Sequence, residues 1–263
     1  NRPNLELMTN TSVLKIIINN KKAVGVQVKN RQGINAITAE SEIILCGGAI
    51  NSPQLLMLSG IGPKKVLEKV SIPCAHDLPG VGQNLQDHLT VNISYNIDHL
   101  DTFAELMRPI RMLKNLFQYF VKGNGLLTYP ASDIGVFFKT NNSVKTPNAQ
   151  IHFAPGAGKY NKDGAMAPIS GITASVCNLR PLSKGFIELN SSDPSEPPKI
   201  YANYLSEKSD IQPMIEGIKK VRHIFESPSI QKFNPKEMMP SLNYREDEEI
   251  EELIRQECLS VYH

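Results

Sequence analysis

The run from Gly48 to Gly62 constrains the fold of this chain more than any other feature. It reads Gly-Ala-Ile-Asn-Ser-Pro-Gln-Leu-Leu-Met-Leu-Ser-Gly-Ile-Gly. Ser52 is a favourable helix N-cap and Pro53 suits the first helical position, where its missing N–H has no partner to lose, so the pattern predicts a helix that begins there. Gly60 followed by Ile61 predicts a left-handed end to that helix.

The flanks of this run complete a strand–turn–helix unit. Residues 42–45 are typical of the end of a buried strand, and Gly47, Gly48 and Ala49 then remove bulk where the chain turns or something packs closely. Leu55 to Leu58 predict a helix that is buried on all sides, and Pro63 can open a second helix through Val70. The helix N-terminus could face an anion or a flat ligand, although ordinary α/β packing explains the same residues.

The rest of the chain divides into stretches with different predicted secondary structure. Alternating residues predict a small β meander, with strands at Val13–Ile18, Ala23–Val28 and Ile34–Thr38. An amphipathic helix is predicted around 103–120, kinked or restarted at Pro109. Antiparallel strands with one wet face are predicted at Ile134–Lys139, Gln150–Ala154, Ile172–Leu179 and Gly185–Leu189, and helices at Glu207–Phe225 and Glu246–Glu257.

Composition excludes several classes of protein. The chain has 263 residues, 41% of them hydrophobic and 21% charged, which is enough for one or two domains with a real core. A net charge of +2 without a basic cluster argues against a nucleic-acid partner, and no apolar run is long enough for a membrane span. The four cysteines lack metal-ligand spacing, so no metal site is expected, while disulfides remain open. Asn-x-Ser/Thr triplets slightly favour a secreted protein but leave the localisation unknown.

Several ordered motifs resemble those of the glucose-methanol-choline (GMC) oxidoreductases, a family of flavoproteins. The run from Gly48 to Gly62 resembles the second signature of that family. The motifs taken together are most similar to those of its glucose dehydrogenase-like branch. Further matches cover nearly the whole chain: Arg2-Pro-Asn-Leu5, Asp77-Leu-Pro-Gly-Val-Gly82, Asn84-Leu-Gln-Asp-His88, Leu179-Arg-Pro-Leu-Ser-Lys-Gly185, Ser192-Asp-Pro194 and Tyr262-His263.

The resemblance implies a mixed α/β (α+β) fold with two kinds of domain. Residues 1–88 would be part of an FAD-binding domain of the FAD/NAD(P)-binding type. Residues 89–250 would form a substrate-binding domain, a large antiparallel sheet backed by helices, and residues 251–263 would return to the FAD domain. The dinucleotide fingerprint Gly-x-Gly-x-x-Gly is absent, and the chain begins and stops inside motifs, so it is expected to be an incomplete internal portion of a longer protein.

The resemblance also implies a function and its residues. A GMC enzyme transfers a hydride from an alcohol or sugar CH–OH group to flavin N5 while a histidine acts as base, and oxygen or a quinone then recovers the electrons. His263 matches that base, and Tyr262 would line the substrate entrance. For the cofactor FAD, the backbone of Val13 would hold the adenine, and Gly47 and Gly48 would pass close to the cofactor.

Two alternatives remain open at this point. The same framework hosts an FAD-binding lyase that does no redox chemistry, and a catalytically inactive paralogue or fragment would show the same motifs. The isolated fragment is expected to be inactive. Asp87 and His88 could suggest an acid/base pair, but hydrogen bonds that organise the crossing between the domains are the favoured interpretation, and His152 and His223 are expected to be structural.

Overall fold

The computed structural model describes residues 2–130, 132, 134–160, 166–239 and 244–262. Its helices are α1 Gly48–Leu58, α2 Lys64–Lys69, α3 Phe103–Leu106, α4 Pro109–Phe117, α5 Gln212–Phe225, α6 Pro228–Gln231 and α7 Asp247–Glu257. Its strands are β1 Ser12–Asn19, β2 Lys22–Asn30, β3 Gly33–Thr38, β4 Ile61–Gly62, β5 His76–Asp77, β6 Gln83–Leu85, β7 Leu89–Asn96, β8 Ile134–Phe138, β9 Ala149–Ala154, β10 Ala157–Tyr160, β11 Met166–Ile169, β12 Ile172–Asn178, β13 Gly185–Glu188, β14 Lys199–Tyr201, β15 Lys236–Met239 and β16 Leu259–Ser260.

The described residues separate into two compact units. The first contains the chain up to Gln86 together with Lys184–Tyr204, and the second contains Asp87–Ser183 together with the chain from Leu205 onward. The segment Lys184–Tyr204 therefore packs with the N-terminal part of the chain, although it lies inside the region expected to form the substrate domain. The division into cofactor-binding and substrate-binding domains stays a prediction.

The first unit begins with the predicted β meander. Strands β1, β2 and β3 pair antiparallel in sequence order. A second antiparallel sheet has the order β14-β13-β6, and β4 and β5 form a short parallel pair. Met57 of α1 and Leu67 of α2 are fully buried, and they pack with Val81, Ile187 and Leu189 in one hydrophobic cluster.

Helix α1 differs from the sequence-based prediction at its start. It begins at Gly48 rather than at Pro53, and Pro53 lies inside the helix. The physical reason is that the Ser52 hydroxyl accepts a hydrogen bond from the N–H of Gly47, at 3.0 Å, instead of capping the turn that follows it. The predicted end is confirmed, since Gly60, which follows the C-cap Ser59, has φ +80°.

Burial around α1 is also lower than predicted. Met57 is the only residue of α1 that is fully buried, and Ile50 is exposed. Residues 42–45 form no strand, and Ile44 is 73% exposed. A strand needs neighbouring backbone to satisfy its N–H and C=O groups, and no segment of the described chain pairs with these residues.

The second unit is built on a six-stranded antiparallel sheet. Its order is β15-β7-β12-β9-β8, and β16 also pairs with β7. The predicted strands at 134–139, 150–154 and 172–179 correspond to β8, β9 and β12. The fourth predicted strand, β13, belongs instead to the small sheet of the first unit.

Helices α5 and α7 cover one face of this sheet. The apolar residues of α5 pack on Val91, Ile93, Ile151, Ala174 and Val176, and α7 contributes Ile250, Leu253 and Ile254, as predicted. Gly217 of α5 allows close approach, because a Cβ at this position would lie 2.2 Å from Cγ1 of Val176. The opposite face carries several polar side chains, among them Asn92, Ser175 and His152.

The predicted amphipathic helix is divided in two. Thr102 caps α3 through a capping box with Glu105, and Pro109 restarts the chain as the first residue of α4. Many of its apolar side chains are exposed: Met107, Ile110, Leu113, Phe117 and Phe120. Among the described residues, no helix combines the length and the apolarity needed to cross a lipid bilayer.

Candidate functional site

Gly47 and Gly48 form a tight turn at the entrance to α1. Gly48 has φ +76°, a backbone conformation that disfavours a side chain, and a Cβ built there meets no atom within 4 Å. The backbone of Gly47 is also fixed, because its N–H donates a hydrogen bond to the Ser52 hydroxyl. The turn therefore presents backbone without side chains next to open space.

Val13 lies on the strand β1, near the same turn. Val13 pairs with Val28, and a β-bulge interrupts the register between Val13 and Lys15. Bulges of this kind are frequent beside binding sites, because they redirect the strand. The Val13 side chain is 44% exposed.

One cavity of about 580 Å³ brings Val13 and Gly47 together. Its walls are largely apolar, and its polar groups come from Asn51, Ser52 and Gln54. The volume falls in the range of small-molecule sites, which combine apolar walls with a few polar groups. These residues fit one part of a flavin dinucleotide: a flat ring can lie against Val13 where Gly47 removes bulk.

Two side chains that the sequence analysis missed hold this region in place, Ser59 and Asp77. The Ser59 hydroxyl accepts from the N–H of Ile16 at 2.8 Å and donates to the carbonyl of Leu55 at 2.6 Å, so it joins the end of α1 to β1. Asp77 accepts from the N–H of Lys64 at 3.0 Å, which supports the first turn of α2. Both side chains lie inside matched motifs, but only the folded chain reveals their partners.

A neighbouring loop carries the motif Ser192-Asp-Pro194. Asp193 accepts hydrogen bonds from the N–H of Ser195 at 2.8 Å and from its hydroxyl at 2.7 Å. These two bonds lower the pKa of the Asp193 carboxyl, with a smaller contribution from the charge of Lys29. Asp193 also lines a second cavity, of about 900 Å³, that includes Val13 and the cations Lys15, Lys29 and Arg31.

The last residues of the chain carry the predicted catalytic motif. His263 lies outside the described residues. Tyr262 is described, with a side chain that is 89% exposed and a left-handed backbone at φ +63°. Its N–H donates to the Ser260 hydroxyl at 2.9 Å, and that hydroxyl in turn donates to Asp87 at 2.5 Å.

A polar row crosses the face of the large sheet that α5 and α7 do not cover. Ser175 of β12 lies opposite Asn92 of β7 on one side and His152 of β9 on the other. The Ser175 hydroxyl donates to the Asn92 amide oxygen at 2.6 Å. Because the predicted strand signals are only local, the sequence analysis could not place these three residues side by side.

A buried ion pair joins α5 to β15 in the second unit. Arg222 donates two hydrogen bonds to Glu237, at 3.1 and 2.9 Å, and a third to the carbonyl of Tyr244 at 2.6 Å. The Tyr95 hydroxyl donates to Glu237 at 3.0 Å, and burial together with the Glu237 charge raises the pKa of Tyr95 well above its usual value. The neighbouring cavity measures about 700 Å³. Since these groups satisfy one another, we interpret the network as structural.

Cysteine and histidine residues form no metal centre in the part of the chain that the structure describes. No cluster of three or more potential ligands occurs there, and all four cysteines are free thiols. Cys177 is buried, and burial together with the charge of Asp87 raises the pKa of its thiol to about 11. His223 is exposed on α5, away from the polar row.

Comparison with known proteins identifies the class of this chain. Two family models match it, both described as GMC oxidoreductase, an N-terminal one over residues 1–90 and a C-terminal one over residues 181–263. Among solved structures, a variant of formate oxidase from Aspergillus oryzae has a TM-score of 0.86 at 23% identity and covers 96% of this chain. Pyridoxine 4-oxidase from Mesorbium loti has a TM-score of 0.77 at 20% identity over 100% of this chain. The fold is thus that of GMC flavoenzymes.

The chain belongs to the GMC oxidoreductase family, whose cofactor is FAD. An oxygen-dependent choline dehydrogenase from Pectobacterium carotovorum is 35% identical over 262 residues, and an alcohol dehydrogenase [acceptor] from Pseudomonas putida is 39% identical over 267 residues. Both alignments cover 100% of this chain but only 47% and 48% of the relative. The chain therefore spans about half the length of these relatives, as it does for the two solved structures, at 49% and 47%. Its branch within the family stays a prediction.

Proposed function

We propose that the full-length protein is an FAD-dependent oxidoreductase that acts on CH–OH groups of alcohols or sugars. The observation that carries the proposal is the cavity shared by Val13 and Gly47, two residues within the region matched by the N-terminal family model. The first unit is then part of the FAD-binding domain. The large sheet of the second unit, with the polar row on one face, is the substrate-binding domain.

Each residue has a role that suits its position. The backbone at Val13 holds the adenine, while Gly47 and Gly48 leave room for the cofactor beside the helix N-terminus, where positive backbone charge favours phosphate. FAD supplies the ring that accepts a hydride from the substrate carbon. The neutral imidazole of His263 takes the hydroxyl proton onto a ring nitrogen, since its ordinary pKa lies near working pH. Tyr262, with its exposed ring, lines the substrate entrance.

The polar row offers groups that can orient a substrate. Asn92, Ser175 and His152 combine donors and acceptors on one face of a rigid sheet. Two relatives, a choline dehydrogenase and an alcohol dehydrogenase by name, support a substrate that carries a hydroxyl group. We therefore expect a hydroxyl-bearing small molecule as substrate, with oxygen or a quinone as electron acceptor.

The test uses the full-length protein, purified with its flavin. Under anaerobic conditions, choline, a primary aliphatic alcohol, an aromatic alcohol and glucose are added separately, and flavin absorbance is followed. Bleaching by at least one of them supports the oxidoreductase. A protein that binds FAD but is bleached by none of these alcohols supports the lyase alternative, and a protein that takes up no FAD supports the inactive paralogue.

Two variants assign the base. His263→Ala is expected to slow bleaching by about 10²- to 10⁴-fold, the usual contribution of a general base, while the FAD content is unchanged. His223→Ala is the matched control, because His223 is exposed on the outer side of α5. Equal rates for both variants would refute the role of His263.

Admitting air or a quinone to the bleached protein then identifies the electron acceptor.

A further inference from the structure

A chain of two hydrogen bonds reaches from Asp87 to the backbone of Tyr262. The Ser260 hydroxyl donates to the Asp87 carboxylate at 2.5 Å, and the same oxygen accepts from the N–H of Tyr262 at 2.9 Å. A hydroxyl that donates to a charged acceptor becomes a better acceptor itself, so the two bonds strengthen each other. Asp87 thus acts on a residue that is far away in sequence.

The two hydrogen bonds hold the backbone of Tyr262, which is strained. Tyr262 has φ +63°, a left-handed conformation that is unfavourable for a residue with a side chain. Such a conformation persists only where the surroundings enforce it, and it is frequent at functional sites. Tyr262 directly precedes His263, so the strain lies at the residue that sets the direction of the chain into the proposed base.

The strand β7 and the residues before it anchor the same segment. Leu259 and Ser260 pair with Thr90 and Leu89 of β7, and the N–H of Val261 donates to the carbonyl of His88 at 3.0 Å. β7 also pairs with β12 and β15, so it is held on both sides. Every backbone step from Leu259 to Tyr262 is therefore tied, directly or through Ser260, to residues 87–90.

We propose that Asp87 is a positioning residue, which acts through Ser260 to fix the left-handed backbone of Tyr262, the residue that precedes the proposed base His263 in the sequence, and so supports proton transfer to that base. The inference rests on the proposed function, in which His263 is the base. Asp87 does not exchange protons with the substrate. Its carboxylate supplies a fixed acceptor, and removing it frees the Ser260 hydroxyl to rotate and Tyr262 to relax from its strained conformation.

The expected effect follows from geometry. A displacement of a reacting group by about 1 Å can cost roughly 100-fold in rate. Asp87→Ala and Ser260→Ala are each expected to lower kcat by about 10- to 100-fold, with KM within about threefold, because substrate binding is retained. Asp87→Asn keeps an oxygen acceptor for Ser260, so it should restore kcat to within about fivefold of the wild type.

The experiment measures flavin reduction by the best alcohol in the full-length holoenzyme. Each variant is also checked for FAD content and melting temperature, since a purely structural role would change those and leave kcat of the folded protein intact. Asp98→Ala is the matched control: this carboxylate follows the other end of β7 and accepts from Asn234 at 2.9 Å. Asp98→Ala should leave kcat within about twofold of the wild-type value.

A double variant tests whether the two residues act as one unit. Asp87→Ala/Ser260→Ala should be no slower than the slower single variant, because the second change removes a bond that is already broken. Rates for Asp87→Ala within twofold of wild type, or losses that multiply in the double variant, would overturn the inference. If Asp87→Ala does not fold, Ser260→Ala and Asp87→Asn decide by the same criteria. If wild-type flavin is not bleached by any alcohol, the proposed function fails and the positioning role falls with it.

Discussion

Removing Arg222 should destabilise the second unit more than removing any exposed ion pair. Arg222→Met leaves the Glu237 carboxylate, whose side chain is only 4% exposed, with the Tyr95 hydroxyl as its remaining partner in the network. Breaking a buried ion pair from one side costs about 3–5 kcal/mol, because the other charge is left without compensation. Glu237→Gln should cost less, about 1–3 kcal/mol, since Arg222 is 17% exposed and can turn toward water.

Hydrogen exchange measured by mass spectrometry gives the local free energy without assuming that the whole protein unfolds in one step. The peptide that covers α5 should exchange roughly a hundred to several thousand times faster in Arg222→Met, the range that corresponds to about 3–5 kcal/mol. The matched control is Lys219→Ala, on the same helix, which breaks contacts to Asp247 and Glu216. These three side chains are 34–48% exposed, so the change should cost at most about 1 kcal/mol.

The double variant Arg222→Met/Glu237→Gln provides the sharpest check. Because it leaves neither charge buried alone, its cost should be lower than the sum of the two single variants by at least about 1 kcal/mol. Strict additivity, or an effect of Arg222→Met no larger than that of Lys219→Ala, would refute the view that an unpaired carboxylate dominates the energetics.

Three further predictions address the turn, the helix–sheet contact and the buried thiol. Gly48→Ala should destabilise the first unit by roughly 1–2 kcal/mol and lower its FAD content, whereas Gly80→Ala, with equal space but no left-handed backbone, should be nearly neutral in both measurements. Gly217→Ala should cost about 1–3 kcal/mol through its clash with Val176, and adding Val176→Ala should recover part of the loss in the exchange of α5. Cys177 should resist iodoacetamide at pH 8 while Cys46 reacts, because the pKa of the Cys177 thiol is about 11 and Cys46 is exposed. Since the unfolded thiol, near 9, ionises first, stability should fall between about pH 9 and 11, and Cys177→Ala should remove that component of the fall.

Local patterns predicted most of the elements correctly. The meander, the restart at Pro109, the end of α1 at Gly60 and the buried face of α7 depend on residues close in sequence, so period and turn chemistry were sufficient. The start of α1 was wrong because Ser52 has two possible roles, as a cap or as an acceptor for Gly47, and composition does not distinguish them. The strand at 42–45 was wrong because a strand requires a partner, which a local pattern does not contain.

The residues of the candidate site were also predicted only in part from the sequence. The motifs pointed to Val13, Gly47, Gly48, Tyr262 and His263, and of these the structure brings Val13 and Gly47 to one cavity. It places Tyr262 in a strained conformation, while His263 lies outside the described residues. The polar row and the Ser59 contact had no signal in the sequence, since each joins segments separated by many residues.

The sequence by itself determined the family, the cofactor class and the local elements, because motifs, caps and periodicity act over a few residues. Only the tertiary structure decided which distant groups meet. Asp87 and Ser260 are 173 positions apart, yet pairing of β16 with β7 brings the hydroxyl within hydrogen-bonding distance of the carboxylate. Such a contact depends on strand register and packing, which many residues set together, and no single segment of the chain encodes it.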